Sequence, residues 1–93
     1  MKEMFEWDQR KSWLNLKNHK VSFEEAMTVF MDALSLTIND PLHSDMEDRF
    51  VIIGVSIKKR LLVVVHTDRG EKIRIISARK ANVKERKTYE ETC

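Results

Sequence analysis

The 93-residue chain contains one cysteine, one proline and two glycines, and its longest apolar run, Leu61–Val65, is five residues long. A membrane-spanning helix needs roughly 20 apolar residues, so no membrane span is expected. A lone cysteine, Cys93, excludes an internal disulfide and a cysteine-based zinc site. The isolated Gly54 and Gly70 exclude a glycine-rich phosphate loop. Because the three histidines are scattered without ligand spacing, we expect neither a metal nor another cofactor.

The composition is that of a small folded protein. Apolar residues make up 42% of the chain, which is enough for a core, and the length favours a single domain over residues 1–93. The N-terminus is charged from Lys2 and Glu3 onward and lacks the apolar region of a secretory signal. A cytoplasmic location is therefore expected.

The net charge of +2 conceals an uneven distribution. Residues 1–57 carry six Lys or Arg and ten Asp or Glu, whereas residues 58–87 carry eleven and three. This separation favours an anionic partner for the second half of the chain, and nucleic acid is the commonest one. A solvated lysine-rich surface would give the same counts.

Hydrophobic periodicity and capping residues predict an α+β fold. Strands are expected at residues 4–7, 34–38, 49–57, 60–67 and 72–77, and helices at 9–18, at 23–31 and from Val83. Asp8 is an expected N-cap, and Ser22 with Glu25 and Asn82 with Glu85 have the spacing of capping boxes. The order β-α-α-β-β-β-β-α predicts a small antiparallel sheet with one face covered by helices and the other open or partly covered. A glycine within a predicted strand, Gly54, indicates a bulge or a close backbone approach.

Short stretches along the chain, taken in order, resemble the BrnT family of bacterial type II toxins. They are FEWD (5–8), the spaced Lys11 and Asn15, HKVSFEEA (19–26), EDR (47–49), Gly54, IRIISARKA (73–81), Glu85-Arg86 and Tyr89-Glu90. The chain departs from the family pattern at Lys20, where glycine is usual, and at Ala33, where proline is common.

The resemblance implies a small ribonuclease toxin with a RelE-like microbial ribonuclease fold. It also implies a BrnA-type antitoxin that neutralises the toxin and supplies DNA binding for autoregulation. Operator DNA would then be bound only through the toxin–antitoxin complex.

Metal-independent RNA cleavage needs a base for the 2′-hydroxyl, a cation for the charge of the transition state and an acid for the leaving oxygen. Arginine suits the second role because its planar fork meets two phosphate oxygens at once. We expect Arg49, Arg74 and Arg79 to hold and polarise the phosphate, with Arg79 in the turn after the last strand. We expect His66 or Glu47 to act as base or acid, with His66 converging on Arg74 if their strand faces match.

Further contacts to RNA are expected from Lys72, Lys80 and Tyr89, the last by stacking on a base. Each candidate also has a structural interpretation. Arg74 would then pair with Glu85, His66 would be a core histidine, and Tyr89 would pack the last helix on the sheet. A nucleic-acid-binding module without catalysis and a protein-interaction domain remain as alternative functions.

Overall fold

Three α-helices and one five-stranded mixed sheet make up the α+β fold of the computed structural model, which describes residues 2–40 and 48–92. The strands are β1 (Phe5–Glu6), β2 (Leu36–Asn39), β3 (Arg49–Val55), β4 (Leu61–Arg69) and β5 (Lys72–Lys80). The helices are α1 (Gln9–His19), α2 (Phe23–Thr28) and α3 (Val83–Glu91), and short 3-10 helices cover Lys2–Met4 and Val29–Met31. Within the described ranges no helix is long and apolar enough to cross a membrane.

The strand order in the sheet is β1-β5-β4-β3-β2, and β1 runs parallel to β5 while the other pairs are antiparallel. The expectation of a purely antiparallel sheet is therefore wrong. About two thirds of the chain, residues 7–71, lies between β1 and β5, and a long connection of this kind is what a parallel pair requires. The last strand is also longer than expected, because Arg79 and Lys80 continue β5 instead of forming a turn.

The helix starts are fixed by local side-chain bonds. The Asp8 carboxylate accepts hydrogen bonds from the backbone N–H groups of Arg10 (2.8 Å) and Lys11 (3.1 Å). The predicted box of Asn82 and Glu85 is complete and is confirmed. At α2 the Ser22 hydroxyl accepts the expected bond from the Glu25 N–H, but the Glu25 side chain does not return to Ser22.

The carboxylate of Glu25 is instead buried against the β3–β4 hairpin. It accepts a hydrogen bond from the Ser56 hydroxyl (2.7 Å) and forms an ion pair with Arg60. These bonds lower the pKa of Glu25, the one from Arg60 most of all, although burial opposes the shift. A buried carboxylate needs such partners, so this requirement overrides the weaker cap interaction.

The main core lies between the sheet and the pair α1 and α2. Its largest fully buried side chains are Phe23, Leu62, Ile75, Val21, Val29 and Val64. A smaller cluster of Ile53, Leu61 and Val63 lies on the opposite side, where Tyr89 of α3 packs against it. Because side chains alternate along a strand, one sheet face is sealed by two helices and the other, which we call the open face, is only partly covered by α3.

Helix α1 is attached to the sheet through a polar side chain. The Asn15 amide donates to the carbonyl oxygens of Val21 (2.9 Å) and Ala78 (2.7 Å), and its oxygen accepts from the Ala78 N–H (3.1 Å). The aromatic and aliphatic residues of the same helix point outward, with Trp13 60% and Leu16 48% exposed. Asn15 therefore completes the hydrogen bonding of β5 beyond the end of the short strand β1.

A close backbone approach, one of the two expectations for Gly54, is present. A Cβ atom added at this glycine would lie 2.9 Å from Val29 Cγ1 and 3.1 Å from Asp32 Oδ2. Glycine is thus required here by space, and the 3-10 helix can lie directly on β3.

Candidate functional site

Two candidate arginines lie in one row across the open face. Arg49 of β3 and Arg74 of β5 are both register partners of Thr67 in β4, and Glu6 of β1 is the partner of Arg74 on its other side. Neighbouring strands are about 4.8 Å apart, so the two arginine backbones are separated by about 10 Å. Thr67 is 2% exposed and its hydroxyl donates to the Asp48 carbonyl oxygen, so the row has a fixed centre between two cations.

The carboxylate that partners Arg74 is Glu6, at 2.9 Å, and not Glu85 as one interpretation of the sequence expected. Arg74 donates through one terminal nitrogen only, Nη1. Within residues 2–40 and 48–92, its other terminal nitrogen and Nε make no hydrogen bond to protein. The guanidinium is oriented by Glu6 and still has donors for an anion, since it carries five N–H groups.

The third candidate, Arg79, lies on the same face but farther along β5. Both of its terminal nitrogens donate to the Glu85 carboxylate at 2.7 Å. This bidentate bond raises the pKa of Arg79 and lowers the pKa of Glu85. Arg79 pairs with Val63 and Arg74 with Thr67, so the two rows are about 13 Å apart along the strands.

A groove of about 530 Å³ runs over the open face beside α3. Its floor is apolar, formed by Val51, Ile53, Val63 and Val65, and Arg79 and Lys84 stand at its side. Arg49 and Arg74 do not line it. The structure thus brings all three arginines to one face, with a pair at one end and Arg79 within the groove.

His66 does not join them. It lies on the sealed face opposite Ile75, only 6% exposed, with its ring 4.8 Å from that of Phe30 and 5.6 Å from that of Phe50. The expected convergence with Arg74 is therefore wrong, because the two strand faces do not match. Neither ring nitrogen has a hydrogen-bond partner among the described residues, and burial lowers the pKa of His66.

The remaining candidates occupy different places. Lys72 lies on the open-face side of β5, in alternation with Arg74, whereas alternation directs Lys80 to the opposite side from Arg79. The Tyr89 hydroxyl donates to Asp32 Oδ2 at 2.6 Å, so its ring is committed to holding α3. Glu47 lies outside the described residues.

The sequence did not predict the roles of two acidic residues, Asp32, which binds Tyr89, and Glu6, which pairs with Arg74. Burial raises the pKa of Asp32, but the hydrogen bonds from Tyr89, Val55 and Leu34 outweigh it and leave the pKa below its ordinary value. Glu6 was overlooked because a two-residue strand gives almost no periodic signal. In the described part of the chain no three His, Cys, Asp or Glu side chains are grouped as metal ligands.

A cationic, partly covered sheet face on a small α+β protein is typical of proteins that bind an anionic polymer. A sequence model described as the ribonuclease toxin BrnT of type II toxin–antitoxin systems matches residues 7–85. The chain belongs to this family of ribonuclease toxins. No curated protein sequence matches it.

Among solved structures, the fold is similar to that of the Brucella abortus ribonuclease toxin BrnT. The TM-score is 0.63 at 22% sequence identity, and the match covers 85% of this chain and 97% of that one. At this identity the likeness establishes the fold.

Proposed function

We propose that the protein is an endoribonuclease toxin that cleaves RNA on the open face without a metal ion. The observation that carries this proposal is the row in which Arg49 and Arg74 flank the buried Thr67. Two long cationic side chains rooted about 10 Å apart can both reach one phosphate between them. The proposed location is the cytoplasm, and the proposed fold type is the RelE-like microbial ribonuclease.

In this mechanism the arginines stabilise the charge that develops on the phosphate as the 2′-oxygen attacks. Arg74 is suited to the role because Glu6 fixes its orientation through one nitrogen while other donors remain for phosphate. Preorganised donors of this kind contribute about 10²–10³-fold in rate. Arg79, anchored by Glu85 within the groove, holds a neighbouring phosphate or sugar of the same strand.

The proposed base or acid is Glu47, which precedes Arg49 by two positions. His66 was the alternative, but its burial on the sealed face removes it from this mechanism. Lys72 is proposed to add a phosphate contact beside Arg74. Lys80 and Tyr89 have no comparable position in the groove. Lys80 points to the sealed face, and the Tyr89 hydroxyl is bound to Asp32.

The test is cleavage of purified RNA in the presence of EDTA by wild type and by the Arg74→Ala and Arg49→Ala variants. We expect each variant to lose at least about tenfold in kcat, and Arg74→Lys to recover only part of the loss because it lacks the fork. Lys17→Ala, which removes one exposed charge from α1 on the far side of the sheet, should cleave like wild type. Arginine variants that fold and cleave normally would refute the assignment, and loss of cleavage in EDTA would refute metal independence.

A BrnA-type antitoxin is the proposed protein partner, and it would neutralise the toxin by covering the open face. Co-expression should give a stable complex that lacks ribonuclease activity. Operator DNA should be retarded by the complex and not by the toxin alone. Retardation of RNA without cleavage at any concentration would instead indicate a binding module.

A further inference from the structure

A second cavity lies at the β1 edge of the sheet, where Phe5 and Trp7 belong to the sealed side and Glu6 belongs to the open face. Its volume is about 450 Å³, within the range of small-ligand sites, and it is lined by Glu3, Phe5, Glu6, Trp7, Gln9 and Lys72. It is separate from the groove beside α3, with which it shares no lining residue. It adjoins the proposed cleavage position, because Glu6 belongs both to its wall and to the ion pair with Arg74.

The wall of this cavity combines three kinds of group that bind a nucleotide: an aromatic ring (Trp7), a cation (Lys72) and a carboxylate (Glu6). Trp7 offers an aromatic surface and is held in place by edge-to-face packing on Phe23, with ring centroids 5.9 Å apart at 81°. Lys72 offers a cation for a phosphate. Aromatic stacking with hydrogen bonds to a base edge is the usual way in which proteins read single-stranded RNA.

Glu6 gives the cavity its selectivity. Arg74 donates one hydrogen bond to its Oε2 atom, and within the described residues Oε1 accepts none, so both oxygens keep acceptor sites for adjacent donors. A carboxylate only accepts hydrogen bonds, so it matches a base edge with adjacent donors. Guanine alone presents two neighbouring N–H donors, N1–H and the N2 amino group, on its Watson–Crick edge. Adenine and cytosine place a bare acceptor beside their amino group, and uracil flanks its single donor with two carbonyls.

We propose that this cavity is a guanine subsite, in which Trp7 contacts the base, Glu6 accepts from its Watson–Crick edge and Lys72 binds its phosphate. The proposal rests on the proposed ribonuclease function, since it assigns the base next to the bond that is cut. It predicts that RNA is cleaved beside guanine in preference to the other bases.

Nucleotide binding tests the subsite without requiring cleavage. The chain has two tryptophans, Trp7 and Trp13, so a Trp13→Phe background leaves Trp7 as the sole indole reporter. Titration with 5′-GMP should give saturable quenching, with a Kd about tenfold or more below those of AMP, CMP and UMP, as expected of a bidentate base contact.

Variants separate the two contributions to binding. Glu6→Gln places amide donors in the wall and should abolish the preference for GMP. Trp7→Leu removes the fluorescent reporter, so its binding is measured by isothermal titration calorimetry, and it should weaken all four nucleotides together. Glu24→Gln, an exposed carboxylate on α2, is the matched control and should bind GMP like the background protein. Equal urea midpoints for the Gln variants show that a change in binding is not a change in folding.

Equal quenching by the four nucleotides, or none, would overturn the guanine subsite. If RNA is nevertheless cleaved and the cut sites show no guanine preference, the subsite is wrong and the ribonuclease proposal stands. If GMP binds selectively but RNA stays whole, the cleavage proposal fails and the subsite stands.

Discussion

Replacement of Asn15 by alanine is expected to destabilise the fold more than any other single change on α1. The side chain makes three hydrogen bonds, all buried, to the Val21 carbonyl and to both backbone groups of Ala78. Alanine would leave these three groups without a partner in the interior. Each unpaired buried group costs about 1–3 kcal/mol, so even the lower limit amounts to about 3 kcal/mol.

Helix propensity offsets a small part of this loss, since alanine is better than asparagine within a helix by about 0.5 kcal/mol. The net expectation is a loss of about 2.5 kcal/mol in the free energy of unfolding. For a protein of this size, 1 kcal/mol corresponds to about 4–8 °C in Tm, so Tm should fall by about 10–20 °C. Asn15→Asp should be worse than alanine, because a carboxylate oxygen would face the two carbonyls that now accept from the amide.

Urea unfolding followed by circular dichroism measures the effect as a shift in midpoint at unchanged slope. The matched control is Asn18→Ala, at an exposed position on the same helix, where only the gain in propensity of about 0.5 kcal/mol should appear. An Asn15→Ala variant within about 0.5 kcal/mol of that control would refute the account, because its hydrogen bonds would then add nothing net.

Gly54→Ala places a carbon 2.9 Å from a neighbouring side chain and should cost about 1–3 kcal/mol in urea unfolding. Gly70→Ala, with open space around the added carbon and only a φ of +63°, should cost about 1 kcal/mol, and a reversed ranking would contradict this. Burial lowers the folded pKa of His66, so the unfolded chain binds the extra proton first and stability should fall as pH drops below about 6.5. His66→Phe should flatten the slope of unfolding free energy against pH in that window, and an unchanged slope would show that other groups cause it. Tyr89→Phe removes the bond to Asp32 and should lower stability by about 1.5 kcal/mol while RNA affinity, measured by filter binding, stays within about twofold if the hydroxyl serves only the fold.

Features set by neighbouring residues were predictable from the sequence. The capping box of Asn82 and Glu85 depends on a side chain and a backbone group three positions apart, so its pattern is visible in the sequence. The apolar run Leu61–Val65 likewise marks one of the predicted strands, and four of its five side chains are buried in the structure.

Features set by residues that lie far apart in the chain were not predictable from the sequence. The partner of Glu25 is Arg60, and the partner of Arg74 is Glu6, 68 positions away. A local pattern contains no information on which of several carboxylates a guanidinium will meet. The sequence suggested Glu85 as the partner of Arg74, whereas Glu85 pairs with Arg79, which lies six positions before it in the chain.

The arginines on the open face depend on an irregularity that strict alternation cannot reveal. Arg79 follows Arg74 by five positions, so in a regular strand the two side chains would point to opposite faces. The register shifts between Val65 and His66, which pair with Ser77 and Ile75, and Ile76 is the extra residue of this β-bulge.

The same extra residue lets Ile75 and Ala78, three positions apart, both enter the core, where each is 1% exposed. Without the bulge, one arginine would turn toward α1 and α2, and the cost of burying a charge there is several kcal/mol. The one extra residue of the bulge therefore places Ile75 and Ala78 on the sealed face and, at the same time, Arg74 and Arg79 on the open face. The bonds from Asn15 to both backbone groups of Ala78, two residues after the bulge, hold β5 in the register on which both depend.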